Sequence, residues 1–348
     1  MIFGRRIGSA VAFLLLGLLS CTSVPSPPRP VAASPGQDVA ASPADVVSPA
    51  TGPAPACRMP ISGILPGSGG FVQMPGGTFT PDPTSNIPIP GQVDQAGLRR
   101  GFTYDPVHLK WLPVPRDWVM PDFSSYVYVG NEFVIGNQPG LHWVDVASGK
   151  DTLWPHGEDI YGFPTALRPE GVYGAPGPEI FVMVDPTGLK TTLDQGRFGL
   201  FEVITSRAFY ATSWSTTNGK YVLSDVYRVD AQTGAATVWF REPGLTVLPI
   251  GTDSAGSPII AAGTQNARTG RIVATQIWIA SARSTGDRPQ DRLIYSDSSN
   301  PLTIQGPPIV SAGSLWFETD QGLYVFTDGR GGFRLASSVT GYISGGCA

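Results

Sequence analysis

The sequence has little charge for its length. Charged residues make up 14% of its 348 residues, and the formal net charge is −4 at pH 7. Removing residues 1–20 takes away Arg5 and Arg6 and no acidic residue, which leaves 21 basic against 27 acidic residues. Proteins that bind nucleic acids through their phosphates need a basic face. The composition therefore argues against a nucleic acid partner.

Residues and motifs that bind metals or cofactors are also scarce. The sequence has three histidines, His108, His142 and His156, and none has a second His or Cys at the spacing of zinc ligands. It has no Gly-x-Ser-x-Gly elbow, no phosphate-binding Gly-Lys-Ser/Thr loop and no calcium loop. The sequence predicts no metal site and no cofactor, and it identifies no catalytic residue.

A helical hydrophobic period is missing as well. No window has apolar residues at i, i+3, i+4 and i+7 without an interrupting Gly or Pro, and the chain contains 43 Gly and 34 Pro. What it has instead are short runs of Val, Ile, Tyr, Phe and Trp between turn residues. This pattern predicts an all-β protein.

The amino terminus has the features of a targeting segment. Arg5 and Arg6 precede an apolar run of 13 residues, Ile7–Leu19, which is shorter than the roughly 20 residues of a membrane-spanning helix. The run ends in Leu-Leu-Ser-Cys21, which resembles a bacterial lipobox. We expect residues 1–20 to be a lipoprotein signal peptide and Cys21 to carry a lipid that holds the exported protein at the outer face of the cell membrane or in the periplasm. The alternative is an ordinary secretory signal.

Residues 21–56 are predicted to form a disordered tether. They are rich in Pro, Ala, Ser and Val, contain no aromatic residue, and carry charge only at Arg29, Asp38 and Asp45. Such a composition favours extended polyproline conformations. At roughly 3.1 Å per residue the tether could hold a domain up to about 100 Å from a membrane.

A repeat organises the remaining chain, residues 57–348. Short strands recur whose aligned last residues are 40 to 50 positions apart, and another strand follows each turn. The first strands are Phe102–Asp105, His142–Asp145, Val182–Asp185, Tyr227–Asp230, Ile277–Ala280 and Tyr324–Thr327. We interpret the terminal Asp residues as turn caps, because Asp begins such turns and Gly supplies positive φ within them.

Two further strand signals lie between successive hairpins, which gives four strands per 40–50 residues. That is the unit of a β-propeller blade. The count predicts a single β-propeller domain of six blades, each with four antiparallel strands, with seven blades as the alternative. The first blade is expected to combine inner strands Phe71–Met74 and Gly77–Thr80 with an outer hairpin, Phe102–Asp105 and Lys110–Val114.

One segment carries a family resemblance. Trp118–Val129 is similar to the repeat of TolB-like, WD-type propellers, in which an aromatic residue precedes a Ser-Pro-Asp-Gly turn and an alternating strand. Met120 stands in place of the usual Ser and Phe123 in place of the usual Gly, and Leu167–Tyr173 is a degraded second copy. The resemblance implies a propeller fold and a protein-binding scaffold of the cell envelope, and it implies no active site.

Two cysteines lie at the edges of the predicted propeller, Cys57 and Cys347. Ring closure brings the ends of a propeller together, and disulfides persist in exported proteins. The sequence therefore predicts a Cys57–Cys347 disulfide, with two free thiols as the alternative.

The candidate binding face is formed by the loops between blades and between the second and third strands. The residues we single out there are His156, Glu158, Tyr161, Trp214 and Tyr221; the alternative is that these loops are only solvated connections. The favoured function is a membrane-tethered binding or scaffold module for a protein or cell-envelope polymer.

The other function class is a hydrolase or lyase that acts on glycans through carboxylates in the central well. The acidic residues fall mainly in turns, although Glu170, Glu202 and Glu318 could point elsewhere, and no sequence pattern pairs these three. Convergence of two carboxylates within about 10 Å in the channel would favour the enzyme.

Overall fold

The computed structural model describes residues 55–63, 67–87, 102–130, 140–157, 160, 164–177, 180–196, 198, 200–205, 208–217, 220–266, 271–281, 291–328 and 332–347. For residues 176–177, 200–202, 214–217, 220–222 and 224 it describes the backbone only. These residues belong to one unit, Ala44–Ala348. The predicted signal peptide and its Cys21 lie outside the described residues.

Runs of β-branched and aromatic residues between Gly, Pro and Asp form the strands, and the described residues include no α-helix, only a 3-10 turn at Arg116–Trp118. The strands are β1 (Cys57–Ser62), β2 (Gly70–Met74), β3 (Thr78–Pro81), β4 (Thr103–Asp105), β5 (Lys110–Leu112), β6 (Ser125–Gly130), β7 (Gly140–Asp145), β8 (Asp151–Leu153), β9 (Pro164–Arg168), β10 (Gly171–Gly177), β11 (Ile180–Val184), β12 (Lys190–Gln195), β13 (Leu200–Ile204), β14 (Ala208–Thr217), β15 (Lys220–Asp230), β16 (Ala236–Arg241), β17 (Thr246–Thr252), β18 (Pro258–Gln265), β19 (Ile272–Ile279), β20 (Arg292–Ser296), β21 (Leu302–Thr303), β22 (Ile309–Ser311), β23 (Ser314–Thr319), β24 (Gly322–Thr327), β25 (Gly332–Ser337) and β26 (Tyr342–Ile343).

Six antiparallel sheets form the blades of a propeller ring. Blade one has the order β26-β1-β2-β3, and blades three to six are β9–β12, β13–β16, β17–β20 and β22–β25, with β21 pairing in addition with β19. Blade two is β6-β7-β8, and Val119 takes its fourth position by bridging to Tyr126. The predicted all-β propeller with six blades of four antiparallel strands is confirmed.

The ring closes where the two ends of the domain meet. The last strand, β26, pairs with β1 through Ile61–Ile343 and Ser62–Tyr342. Cys57 and Cys347 lie beside this pairing with their Cα atoms 5.4 Å apart, a separation typical of disulfides. Blade one is thus assembled from residues about 290 positions apart in the sequence.

The core is a set of apolar clusters, five of which span a joint between neighbouring blades. Residues that share a cluster across a joint are Val127 with Leu167, Phe181 with Phe209, Val226 with Ile260, Ile277 with Phe317, and Trp316 with Met59. Burying one such side chain stabilises the fold by roughly 1.5–3 kcal/mol. Each blade therefore depends on both neighbours for its burial.

The joint between blades one and two is filled by the β4–β5 hairpin, whose strands pair only with each other among the described residues. The Trp111 ring lies 5.9 Å from that of Phe71 in blade one, and its Nε1 donates a hydrogen bond to Asp82. Leu112, the next residue of β5, and Val114 belong to the apolar cluster of blade two. The hairpin therefore packs against both blades.

This arrangement corrects the predicted first blade. The hairpin of Phe102–Asp105 and Lys110–Val114 does not form the outer strands there, because β2 and β3 occupy those positions. The inner positions belong to β1 and β26, which come from opposite ends of the domain. Local periodicity cannot reveal a strand that arrives from the far end of the chain.

The repeated turns are built as the sequence predicts. The carboxylates of Asp105, Asp145, Asp185 and Asp230 each accept a backbone N–H from two or three residues further along, at 2.8 Å. These bonds give the four carboxylates a structural role as caps of the hairpin ends.

Candidate functional site: a cavity on the propeller axis

A cavity of about 310 Å³ lies inside the ring, and every blade and the β4–β5 hairpin contribute to its wall. Each contributor supplies at least one wall residue. Examples, one from each, are Ile343 (β26), Thr103 (β4), Asp117 (before β6), Arg168 (β9), Ile204 (β13), Ile250 (β17) and Ile309 (β22). Ligand pockets typically measure about 300–1,000 Å³. The cavity is therefore the size of a small ligand or of one residue of a partner chain.

One part of the wall, which we call the arginine wall, consists of Arg116, Asp117 and Arg168. Arg168 ends β9, and its Nη2 lies 3.5 Å from Oδ1 of Asp117. Its Nη1 donates to the carbonyl of Leu167, and its Nε donates to that of Ile204 in blade four. These contacts hold the Arg168 guanidinium in a fixed position between two blades.

Arg116 is the second cation of this wall. It begins the 3-10 turn that connects the hairpin to blade two, and its Nη1 donates to the carbonyl of Val119 at 3.2 Å. Its guanidinium lies 4.4 Å from the centre of the Phe123 ring. It forms no ion pair with a carboxylate among the described residues. Burial lowers the pKa of Arg116, but a guanidinium stays charged at any physiological pH.

Glu318 is a buried acid elsewhere on the same wall. It lies in β23, where all six residues are buried, and only 5% of it is exposed. Its Oε2 accepts the backbone N–H of Ile343 at 3.1 Å. Burial raises the pKa of Glu318 to about 8, although that hydrogen bond and the charge of Arg271 act in the opposite direction. Glu318 is therefore a neutral hydrogen-bond donor at pH 7.

The sequence distinguished Glu318 only as one of three acids outside turns. Glu170 instead accepts a hydrogen bond from the Tyr173 hydroxyl at 2.8 Å, and the side chain of Glu202 lies outside the described residues. The missed signal was a single Glu inside Ser-Leu-Trp-Phe-Glu-Thr, a run with the apolar character of a fully buried strand. Burying an ionisable group in such a strand costs folding free energy, which sets Glu318 apart from its apolar neighbours.

Of the five predicted binding-face residues, His156 is the one whose side chain the structure describes. His156 lies in the connection from β8 to β9, half-buried, with its ring 5.8 Å from that of Trp154 and against Gly188. It does not line the axial cavity. Glu158 and Tyr161 lie outside the described residues.

The predicted loop from Trp214 to Tyr221 is wrong. Both residues lie in strands, because β14 continues to Thr217 and β15 begins at Lys220. Trp214 pairs with Leu223, and Thr216 pairs with Tyr221. The side chains of Trp214 and Tyr221 are outside the described residues. Asn-Gly between two strand-forming runs is a strong hairpin signal, and it was available in the sequence.

Two of the histidines pair with carboxylates. His108 Nδ1 lies 2.6 Å from Oδ2 of Asp105, and His142 Nδ1 lies 2.9 Å from Oδ1 of Asp151. In the described ranges, no three His, Cys, Asp or Glu side chains are grouped as metal ligands. None of the described helical residues forms a segment long and apolar enough to cross a bilayer.

The chain matches no family model and no curated protein. Solved structures to which it is similar include a prolyl endopeptidase (13% identity, TM-score 0.40, covering 61% of this chain and 34% of that chain). Others are YCF48 bound to D1 peptide (12%, 0.40, 82% and 87%) and TolB from Acinetobacter baumannii (13%, 0.36, 82% and 67%). The chain thus spans about a third of the prolyl endopeptidase chain. The propeller fold of this chain is established by its ring of six antiparallel sheets.

Proposed function

We propose that this protein is an exported, lipid-anchored β-propeller that binds a protein or a cell-envelope polymer and acts as a binding or scaffold module. The observation that carries the proposal is the axial cavity, to which every blade contributes and whose arginine wall is held by hydrogen bonds. A preformed concave site with a few fixed polar groups is suited to binding.

Export is supported by the sequence and by the ring closure together. The apolar segment Ile7–Leu19 precedes Cys21, and Cys57 and Cys347 lie at disulfide distance. Disulfides persist in oxidising compartments such as the periplasm and the cell exterior. A covalent link at the site where β26 meets β1 would hold the ring closed outside the cytoplasm.

Anchoring is tested by labelling cells with a radioactive fatty acid. We expect the wild-type protein to carry the label and to sediment with membranes, because lipid joined to Cys21 is the anchor. The Cys21→Ala variant should carry no label, and a Cys57→Ser variant should be labelled like the wild type. Label on the Cys21→Ala protein, or none on the wild type, would exclude the anchor.

Binding is tested by filling the cavity. Thr252, half-buried at the end of β17, lines it, whereas Thr237 is exposed on the outer strand β16. We expect the Thr252→Trp variant to lose an envelope component that the wild type retains, because indole occupies the space. The Thr237→Trp variant should retain it.

A second candidate function is a propeller hydrolase or lyase that acts on glycans. Glu318 favours it, because a carboxylic acid that stays protonated near pH 7 has the pKa of a general acid. The other carboxylate on the described wall, Asp117, is paired with Arg168. Turnover of a glycan that a Glu318→Gln substitution abolishes would establish the enzyme.

A further inference from the structure

The described wall of the axial cavity carries an uneven set of charges. Its strongly ionising residues are Arg116, Asp117, Arg168 and Glu318. Glu318 is neutral at pH 7, because burial raises its pKa to about 8. Two guanidinium groups and one carboxylate remain, which leaves one net positive charge.

That excess charge is localised at Arg116. The Asp117 carboxylate contacts Arg168, whereas Arg116 contacts backbone carbonyls and the Phe123 ring and forms no ion pair with a described carboxylate. Asp117 and Asp105 attract Arg116 through space but form no described ion pair with it, so part of the desolvation of this half-buried cation stays uncompensated. An anion supplied by a ligand would restore the balance.

The rest of the wall restricts the kind of anion. Apolar side chains supply about half of it; they include Val203, Ile204, Ile250, Ile309 and Ile343. A phosphate carries about −1.5 to −2 charges at pH 7, which exceeds the single positive charge available. A carboxylate carries one charge and matches the planar fork of a guanidinium. A monocarboxylate with an apolar body fits both the charge and the lining.

We propose that the axial cavity binds the carboxylate of a monoanionic ligand at Arg116 in the arginine wall, with the ligand's apolar part against the isoleucines. This proposal rests on the proposed binding function and names the chemistry of the ligand. The carboxylate belongs either to a small acid or to the carboxy-terminal residue of a peptide. Glu318 is the group on the same wall that donates a hydrogen bond to a further oxygen of the ligand.

The first test uses calorimetric titration of the purified full chain with matched acids and amides. The probes are N-acetyl-alanine, N-acetyl-leucine, N-acetyl-phenylalanine and their carboxamides. We expect at least one acid to bind tenfold or more tightly than its amide, because the amide removes only the charge. The Arg116→Gln variant should lose about tenfold in affinity for that acid, whereas Lys150→Gln, which removes an exposed charge from a hairpin end, should lose none.

The second test needs no arginine variant and measures the affinity of the wild type against pH. As pH rises through about 8, Glu318 ionises and places a negative charge on the same wall as the ligand. Affinity for the acid should therefore fall above pH 8 in the wild type and stay constant in Glu318→Gln. Arg271 and Tyr342 are the other ionisable groups near Glu318, and both are unchanged in the variant.

The outcomes separate the alternatives. A tripeptide ending in the preferred residue binds more tightly than the N-acetyl amino acid if the source is a peptide, and no more tightly if it is a small acid. If no acid binds more tightly than its amide, or if affinity does not depend on Glu318 ionisation, the proposal is wrong. The binding function would still be supported if the wild type retains an envelope component and Thr252→Trp does not. If the wild type retains no such component either, the carboxylate proposal and the binding function are both wrong.

Discussion

At the scale of single residues, Glu318 is the feature that most separates this cavity from an ordinary blade core. It is a carboxylic acid in a fully buried strand, and its hydrogen-bond partner is the backbone of Ile343 in the closing strand. The sequence shows the Glu but not its surroundings. Those depend on β26 returning to blade one, which no local pattern encodes.

Burial of Glu318 makes stability depend on pH. The folded protein holds this proton up to a pKa of about 8, while the unfolded chain releases it near the ordinary value of 4.5. The stabilisation by the bound proton is complete below about pH 4.5 and is lost as pH rises to about 8, at up to about 1.4 kcal/mol per pH unit. Glu318→Gln keeps the acceptor for Ile343 and removes this dependence.

We therefore compare the free energy of unfolding of Glu318→Gln with that of the wild type at two pH values. Between pH 5 and pH 8.5 the difference should shift in favour of the variant by on the order of 3 kcal/mol. Urea denaturation at the two pH values measures the difference. Asp328→Asn, at an exposed ion pair with Arg292, is the control and should show a difference within about 0.5 kcal/mol. Equal differences in the two variants would contradict a buried, protonated Glu318.

At the scale of elements, the sequence predicts strands well and their partners less well. The alternating runs and Asp-capped turns locate the repeated hairpins, because these signals are local. The β4–β5 hairpin lies outside blade one because β1 and β26 fill the inner strand positions of that blade. The repeat alone does not show this. The β14–β15 pair could have been found, because Asn218-Gly219 is a hairpin signal between two strand-forming runs.

The role of the β4–β5 hairpin as the joint between blades one and two gives a prediction for Trp111. Its ring contacts Phe71 and Tyr104, and its Nε1 donates to Asp82. We expect Trp111→Ala to lower the free energy of unfolding by about 2 kcal/mol, since the ring is half-buried. Val107→Ala in the same hairpin, at a residue that is 64% exposed, should change it by less than about 0.5 kcal/mol. Similar losses in both variants would mean that the hairpin is not a joint.

At the scale of the whole molecule, the ring closure joins the two ends of the domain through the pairing of β26 with β1. The repeat and its spacing predicted a closed ring of six blades, with seven as the alternative, because a propeller is a sum of similar units. The axial cavity was not predicted in detail, because its wall takes single residues from every blade. Its charges therefore appear in the sequence as isolated residues with no common spacing.

The closure itself predicts a disulfide in material from the oxidising compartment. Peptide mapping without reduction should recover Cys57 and Cys347 in one fragment, because their Cα atoms are 5.4 Å apart. The Cys57→Ser/Cys347→Ser double variant should unfold at a lower temperature, because losing the link at this loop length lowers the free energy of unfolding by up to about 5 kcal/mol. The Cys21→Ala variant, which leaves this pair intact, is the control. Two alkylatable thiols in the native protein would contradict the link.

The central claim is that the axial cavity binds a ligand and returns it unchanged. The most direct measurement incubates the purified wild-type protein and its Thr252→Trp variant with a soluble envelope fraction. Mass spectrometry then analyses both the retained and the unbound material. We predict a compound that the wild type alone retains and that is recovered with its mass unaltered. Accumulation of cleaved glycan with the wild type, absent with Glu318→Gln, would contradict the claim and establish an enzyme.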